Sequence, residues 1–161
     1  MSATIAQKIR PCLWFDGKSE EAADFYISLF PDSDSKVLDV QHFGEEGSQE
    51  PGSGVIVSFR LAGTEYQALD GGPEFTFNEA VSFSVDCEDQ AEVDRLWERL
   101  TADGGEPGPC GWCKDKYGLS WQIVPRRLPD LLADPDKDRA GRVLAAMMKM
   151  SKIDVATLES A

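Results

Sequence analysis

The chain's most specific reactive spacing is Cys110-Gly111-Trp112-Cys113, two thiols in the pattern shared by redox and zinc sites. In a thioredoxin-type site the first thiol sits at a helix N-terminus, which lowers its pKa. Here the segment runs into Lys114 and a turn at Gly118, so it reads as strand or loop, where alternation points the two thiols to opposite faces. Zinc would need a second paired motif, and Cys12 and Cys87 do not form one. The single histidine, His42, reads as a surface or strand residue. Glu65, Asp70 and Asp115 fall near strand ends and read as surface or turn carboxylates, so no catalytic residue is assigned. Gly104, Gly105, Gly108 and Gly111 precede no strand-to-helix entry, and Gly71-Gly72-Pro73 opens no dinucleotide-binding unit.

Hydrogen-bonding and aromatic side chains offer more. Alternation over 80–85 puts Ala80, Ser82 and Ser84 on one face and Val81, Phe83 and Val85 on the other. Over 119–124 it sets Ser120, Gln122 and Val124 opposite Leu119, Trp121 and Ile123. Of Trp14, Trp97, Trp112 and Trp121, Trp97 belongs to a helical stripe and Trp121 to the apolar strand face, and Trp112 reads as the best candidate for a pocket wall.

These residues must be positioned by two similar units. Ile9 to Phe15 reads as a buried strand, and Asp16-Gly17 as a turn. A helix follows, with Ser19 as N-cap and Ala22, Phe25, Tyr26, Leu29 and Phe30 along one face. Extended segments over Lys36 to Phe43, Val55 to Leu61 and Glu65 to Leu69 complete a β-α-β-β-β unit, with a glycine-rich loop at Gly44 to Gly54. The pattern restarts with a strand over Ala80 to Val85, a capping box from Asp89 to Glu92, and a helix burying Val93, Leu96, Trp97 and Leu100. An offset of 70 pairs Asp16 with Asp86 and Phe30 with Leu100, a weak internal repeat (86 − 16 = 70). Strands around Cys110 to Lys114 and Leu119 to Val124 close the second unit. Ala140, Val143, Leu144, Met147 and Met148 then form the apolar stripe of an appended helix.

Composition bounds the function classes. With 161 residues the chain suits a single domain, 1–161, and its 42% hydrophobic content is ordinary for a globular protein. The formal charge of −13 repels phosphate backbones and anionic membrane surfaces, so neither nucleic acid nor membrane is an expected partner. Nothing in Met1 to Arg10 directs export, and four cysteines are too few for a disulfide scaffold, so reduced thiols and a cytoplasmic location are expected.

Leu13-Trp14-Phe15-Asp16-Gly17 followed by Ser19 to Tyr26, Ala68-Leu69-Asp70-Gly71-Gly72-Pro73, Cys110-Gly111-Trp112 and Lys114 to Pro125 together resemble the vicinal-oxygen-chelate (glyoxalase/bleomycin resistance/dioxygenase) superfamily. Within it the chain is similar to the PhnB-like subgroup, the 3-demethylubiquinone-9 3-methyltransferase-like domains, over roughly residues 8 to 158. The resemblance implies an α+β fold of two βαβββ modules, 8–72 and 78–125, whose curled sheets form a cup, with a helical extension over 128–160. It also implies a homodimer.

Catalytic members of that superfamily hold a divalent metal with His, Gln or Glu side chains from both modules. The matching positions here are Pro11, Gln67 or a neighbour, Ala80 and Gln122, and two of these four carry no donor. No metal and no cofactor is therefore expected. The remaining cup residues, Gln67, Ser82, Ser84, Trp112, Ser120 and Gln122, form the expected pocket for an unidentified small organic molecule, although the polar ones could equally satisfy one another. An S-adenosylmethionine site on a parallel sheet with an early glycine loop is absent from the pattern. The leading reading is a metal-free binding protein. A non-metal enzyme of the same fold, methyl transfer included, and a dimeric interaction module without a ligand are the alternatives.

Overall fold

The computed structural model describes residues 7–44 and 54–161, so most of the expected glycine-rich loop lies outside the described residues. The chain divides into two compact units, Met1–Thr76 and Phe77–Ala161. Each is built on a four-stranded sheet.

The first unit runs β1 (Cys12–Phe15), α1 (Ser19–Ser28), β2 (Lys36–Phe43), β3 (Gly54–Leu61) and β4 (Thr64–Asp70). Its sheet order is β1-β4-β3-β2, with β1 parallel to β4 and the other pairs antiparallel. Ala62 and Gly63 both take positive φ, 47° and 87°, the two-residue turn whose twist matches a tight hairpin. Ala22, Ala23 and Tyr26 of α1 are fully buried, and the Tyr26 ring lies 6.4 Å from that of Phe15. Ser19 is not the N-cap. It is the first helical residue and is buried, and its N–H and hydroxyl both donate to the Asp70 carboxylate at 2.8 Å. A negative group from the end of β4 thus satisfies the positive end of α1, a long-range cap that local spacing does not reveal.

The second unit runs β5 (Ser82–Cys87), α2 (Gln90–Thr101), β6 (Glu106–Pro107), β7 (Trp112–Lys114) and β8 (Ser120–Pro125), followed by α3 (Arg127–Leu132), α4 (Lys137–Met147) and α5 (Val155–Glu159). The order β5-β8-β7-β6 reproduces that of the first sheet, with β5 parallel to β8. The strands β1 and β5 begin 70 residues apart (82 − 12 = 70), so the internal repeat in the sequence is a repeat of topology. The fifth strand starts two residues later than expected, and Val81, assigned to the core face, precedes it and is 63% exposed. A variant of the expected capping box forms: Asp89 accepts from the Glu92 N–H at 2.9 Å, while Glu92 reaches back to the N–H of Glu88, one residue before the cap, at 2.8 Å. Val93, Leu96 and Leu100 of α2 are completely buried.

The expected single C-terminal helix is three. Asp136 caps α4 through the N–H groups of Asp138 and Arg139, and Asp154 caps α5 through that of Thr157. Leu128, Leu131, Val143, Ile153 and Leu158 form a cluster of their own. From the expected stripe Val143 is buried, whereas Leu144 and Met148 are 47% and 62% exposed, because α4 presents only a narrow face to its neighbours. No helix among the described residues is long and apolar enough to cross a membrane.

Candidate ligand pocket on the second sheet

Strand register decides which side chains meet. Across β5 and β8, Ser82 is opposite Ser120 and Ser84 opposite Gln122. Across β7 and β8, Trp112 is opposite Gln122 and Lys114 opposite Ser120. Directly opposed residues share a sheet face, so Ser82, Ser84, Trp112, Lys114, Ser120 and Gln122 form one surface. Phe83, Cys113, Trp121 and Ile123 alternate onto the other, the side on which α2 packs.

A cavity of about 430 Å³ opens on the first surface. Trp112, Cys113, Lys114 and Ser120 line it from β7 and β8, Glu106 and Pro107 from β6, Gly108 to Cys110 from the loop before β7, and Glu79 from the segment before β5. Of the six residues expected from the sequence, Trp112 and Ser120 belong to this lining. Ser82 and Gln122 hydrogen-bond to each other, the Gln122 amide donating to the Ser82 hydroxyl at 3.0 Å, and Ser84 is exposed. Gln67 is half-buried on β4, in the first unit's sheet, in register with Cys12 and Ser58.

Ser120 is the unusual group. It is 1% exposed, and its hydroxyl finds no hydrogen-bond partner among the described residues. Buried hydroxyls are almost always satisfied, because one left unpaired costs about 1–3 kcal/mol. Beside it the Lys114 ammonium pairs with the Glu79 carboxylate. That bond holds Glu79 below the usual carboxylate range and pushes Lys114 up, with the nearby Glu106 charge adding a smaller push to Lys114. The cation of the pocket is therefore already matched.

Lys114 was legible in the sequence, two residues after Trp112 on an alternating strand. Glu79 was not, since it precedes its strand and carries no periodic signal.

All four cysteines are free thiols. Cys110 sits in the loop with a positive φ of 56°, and Cys113 is buried on β7. Burial pushes Cys113 up to about 12, helped by the Asp115 charge, and burial likewise raises Cys87 to about 12. Both folded-state values lie above that of an exposed thiol, so this contribution to stability is intact below pH ~9 and is lost as the unfolded chain alone ionises toward pH ~12. Urea unfolding should show stability falling across that window by up to about 1.4 kcal/mol per pH unit for each thiol. A Cys87→Ala chain should lose part of that slope.

His42 is exposed on the edge strand β2. Among the described residues no three or more His, Cys, Asp or Glu side chains gather into a group that could hold a metal ion. Of the four positions at which the resemblance implies a ligand, Pro11 and Ala80 carry no side-chain donor, and Gln67 and Gln122 offer only neutral amide oxygens. Asp115, expected at the surface or in a turn, is in the turn but only 2% exposed, because it caps the hairpin from inside.

The family model of 3-demethylubiquinone-9 3-methyltransferase matches residues 7–124, so α3 to α5 lie outside the matched region. A PhnB protein from Bacillus cereus is 33% identical, with a TM-score of 0.63 over 74% of this chain and 99% of that one. Protein PA1353 from Pseudomonas aeruginosa, 19% identical with a TM-score of 0.60 over 74% of this chain and 98% of its own, shares the fold. None of the curated proteins compared matches the chain. With two βαβββ modules and a family match over most of its length, this chain belongs to the 3-demethylubiquinone-9 3-methyltransferase family, the PhnB-like branch of the vicinal-oxygen-chelate superfamily.

Proposed function

We propose that this chain binds a small, flat, uncharged organic molecule in the cavity of the second sheet, without a metal ion. The observation that carries this reading is the Ser120 hydroxyl, buried on the cavity wall with no hydrogen-bond partner among the described residues. A ligand oxygen or nitrogen would complete it once the side chains over it shift, since Ser120 is only 1% exposed. Trp112, Pro107 and the Gly108 to Cys110 loop supply an apolar slot for the ligand body, and a volume of about 430 Å³ falls within the range of small-molecule sites. An anion would find no unmatched cation, because Lys114 pairs with Glu79 and also faces Glu106.

The family name carries methyl transfer as an alternative. Lys114 and Glu79 neutralise each other, which leaves neither poised as a general acid or base and favours binding over catalysis. A homodimer in the cytoplasm completes the proposal. Val37, Leu38, Val40 and Phe43 on the edge strand β2 are 36–44% exposed, the kind of apolar edge that a second copy would cover.

Native mass spectrometry of protein dialysed against EDTA tests both parts. The expected spectrum shows twice the chain mass, and added 2-naphthol, a flat bicycle with one hydroxyl, binds once per chain. A requirement for added zinc, nickel or manganese before 2-naphthol binds would overturn the metal-free reading.

A further inference from the structure

The loop lining one side of the cavity is held in place by a segment that the family match does not include. Cys110 and Gly111 take successive left-handed conformations, φ 56° and 83°. Such backbone is unfavourable for a residue with a side chain, so for Cys110 something must over-determine it. The link between α4 and α5 does so. The Cys110 N–H donates to the Met150 carbonyl and the Gly111 N–H to the Ser151 carbonyl, both at 2.8 Å. The Ser151 hydroxyl donates to the Gly108 carbonyl at 2.6 Å.

Packing reinforces these bonds. A side chain at Gly111 would come within 3.1 Å of Ile153, and Ile153 is fully buried. The same link is tied to α2 from its other side. Gln90 donates to the Ile153 carbonyl at 2.9 Å and accepts from the Val155 N–H at 2.8 Å, while Lys152 pairs with Asp94 at 2.7 Å. Met148 to Ile153 therefore bridges a rigid helix and the loop from Gly108 to Gly111.

We propose that this C-terminal strap fixes the cavity wall, with Ser151 as a positioning residue that sets what the pocket accepts. The consequence for ligand choice rests on the reading of the cavity as a binding site. The consequence for the wall does not. Because the strap lies beyond residue 124, the pocket of this chain is shaped by an element outside the part that the family model matches.

The test measures the reaction of Cys110 with a disulfide reagent such as DTNB in a Cys12→Ser background, where the remaining two cysteines, Cys87 and Cys113, are buried. Ser151→Ala should speed Cys110 labelling about fivefold and weaken 2-naphthol by a similar factor, with the melting temperature shifted by only a few degrees. Ser151→Thr, which keeps the hydroxyl, should behave as the parent. Ile153→Ala should speed labelling further. Equal labelling rates in the parent, Ser151→Ala and Ile153→Ala overturn the strap. Faster labelling in a chain that never binds 2-naphthol upholds the strap and counts against the cavity reading alone.

Discussion

Replacing Asp115 by Ala is expected to lower the unfolding free energy by about 3–5 kcal/mol, because it strands three donors in the interior. One carboxylate oxygen accepts from the backbone N–H groups of Tyr117 and Leu119 at 2.8 and 3.1 Å, and the other accepts from the Trp121 indole N–H at 2.9 Å. Leu119 and Trp121 are each 1% exposed, so water does not readily replace the lost acceptor. The melting temperature should fall by roughly 10–15 °C for a chain of this length. Asp115→Asn, which keeps the shape and one acceptor oxygen, should cost less than half as much. Because this hairpin joins Lys114 to Ser120, a surviving Asp115→Ala chain should also bind 2-naphthol more weakly. Thermal unfolding followed by circular dichroism measures the first effect, and a loss below about 1 kcal/mol would contradict the assigned role.

Ser120→Ala should move stability and binding in opposite directions. Removing a buried hydroxyl that has no partner among the described residues relieves its desolvation cost, so the variant should be more stable by about 1–2 kcal/mol and melt roughly 3–6 °C higher. The same change deletes the group that meets the ligand and should weaken 2-naphthol about five- to tenfold. A hydroxyl with a purely structural role predicts the reverse sign for stability and no effect on binding. Denaturant midpoints and isothermal titration on the same preparations separate these outcomes.

The sequence made the sheet faces legible and left their use obscure. Strict alternation placed Ser82, Ser84, Ser120 and Gln122 on one side, and strand register joins Trp112 to the same surface. Which of them line a cavity depends on the loop before β7, whose left-handed Cys110 no periodicity announces. Glu79 reaches Lys114 from outside any element. Asp70 and Asp115 looked like turn carboxylates because short-range spacing shows a turn and cannot show which long-range donor fills it. For Asp70 that donor is Ser19, 51 residues away. The C-terminal stripe reads as one helix whose start Asp136 to Asp138 mark correctly, whereas Asp154, which starts a separate helix, also fits a generally acidic surface.

The central claim, a metal-independent pocket formed by Trp112 and Ser120, is tested most directly by NMR. ¹H–¹⁵N spectra of EDTA-dialysed protein titrated with 2-naphthol would follow the Trp112 indole, assigned through Trp112→Phe, and the backbone amides of Cys110 and Ser120. The account predicts saturable shifts at these three sites before any metal is added. Shifts that appear only after a divalent metal is supplied, or that leave Trp112 and Ser120 unmoved, would contradict it.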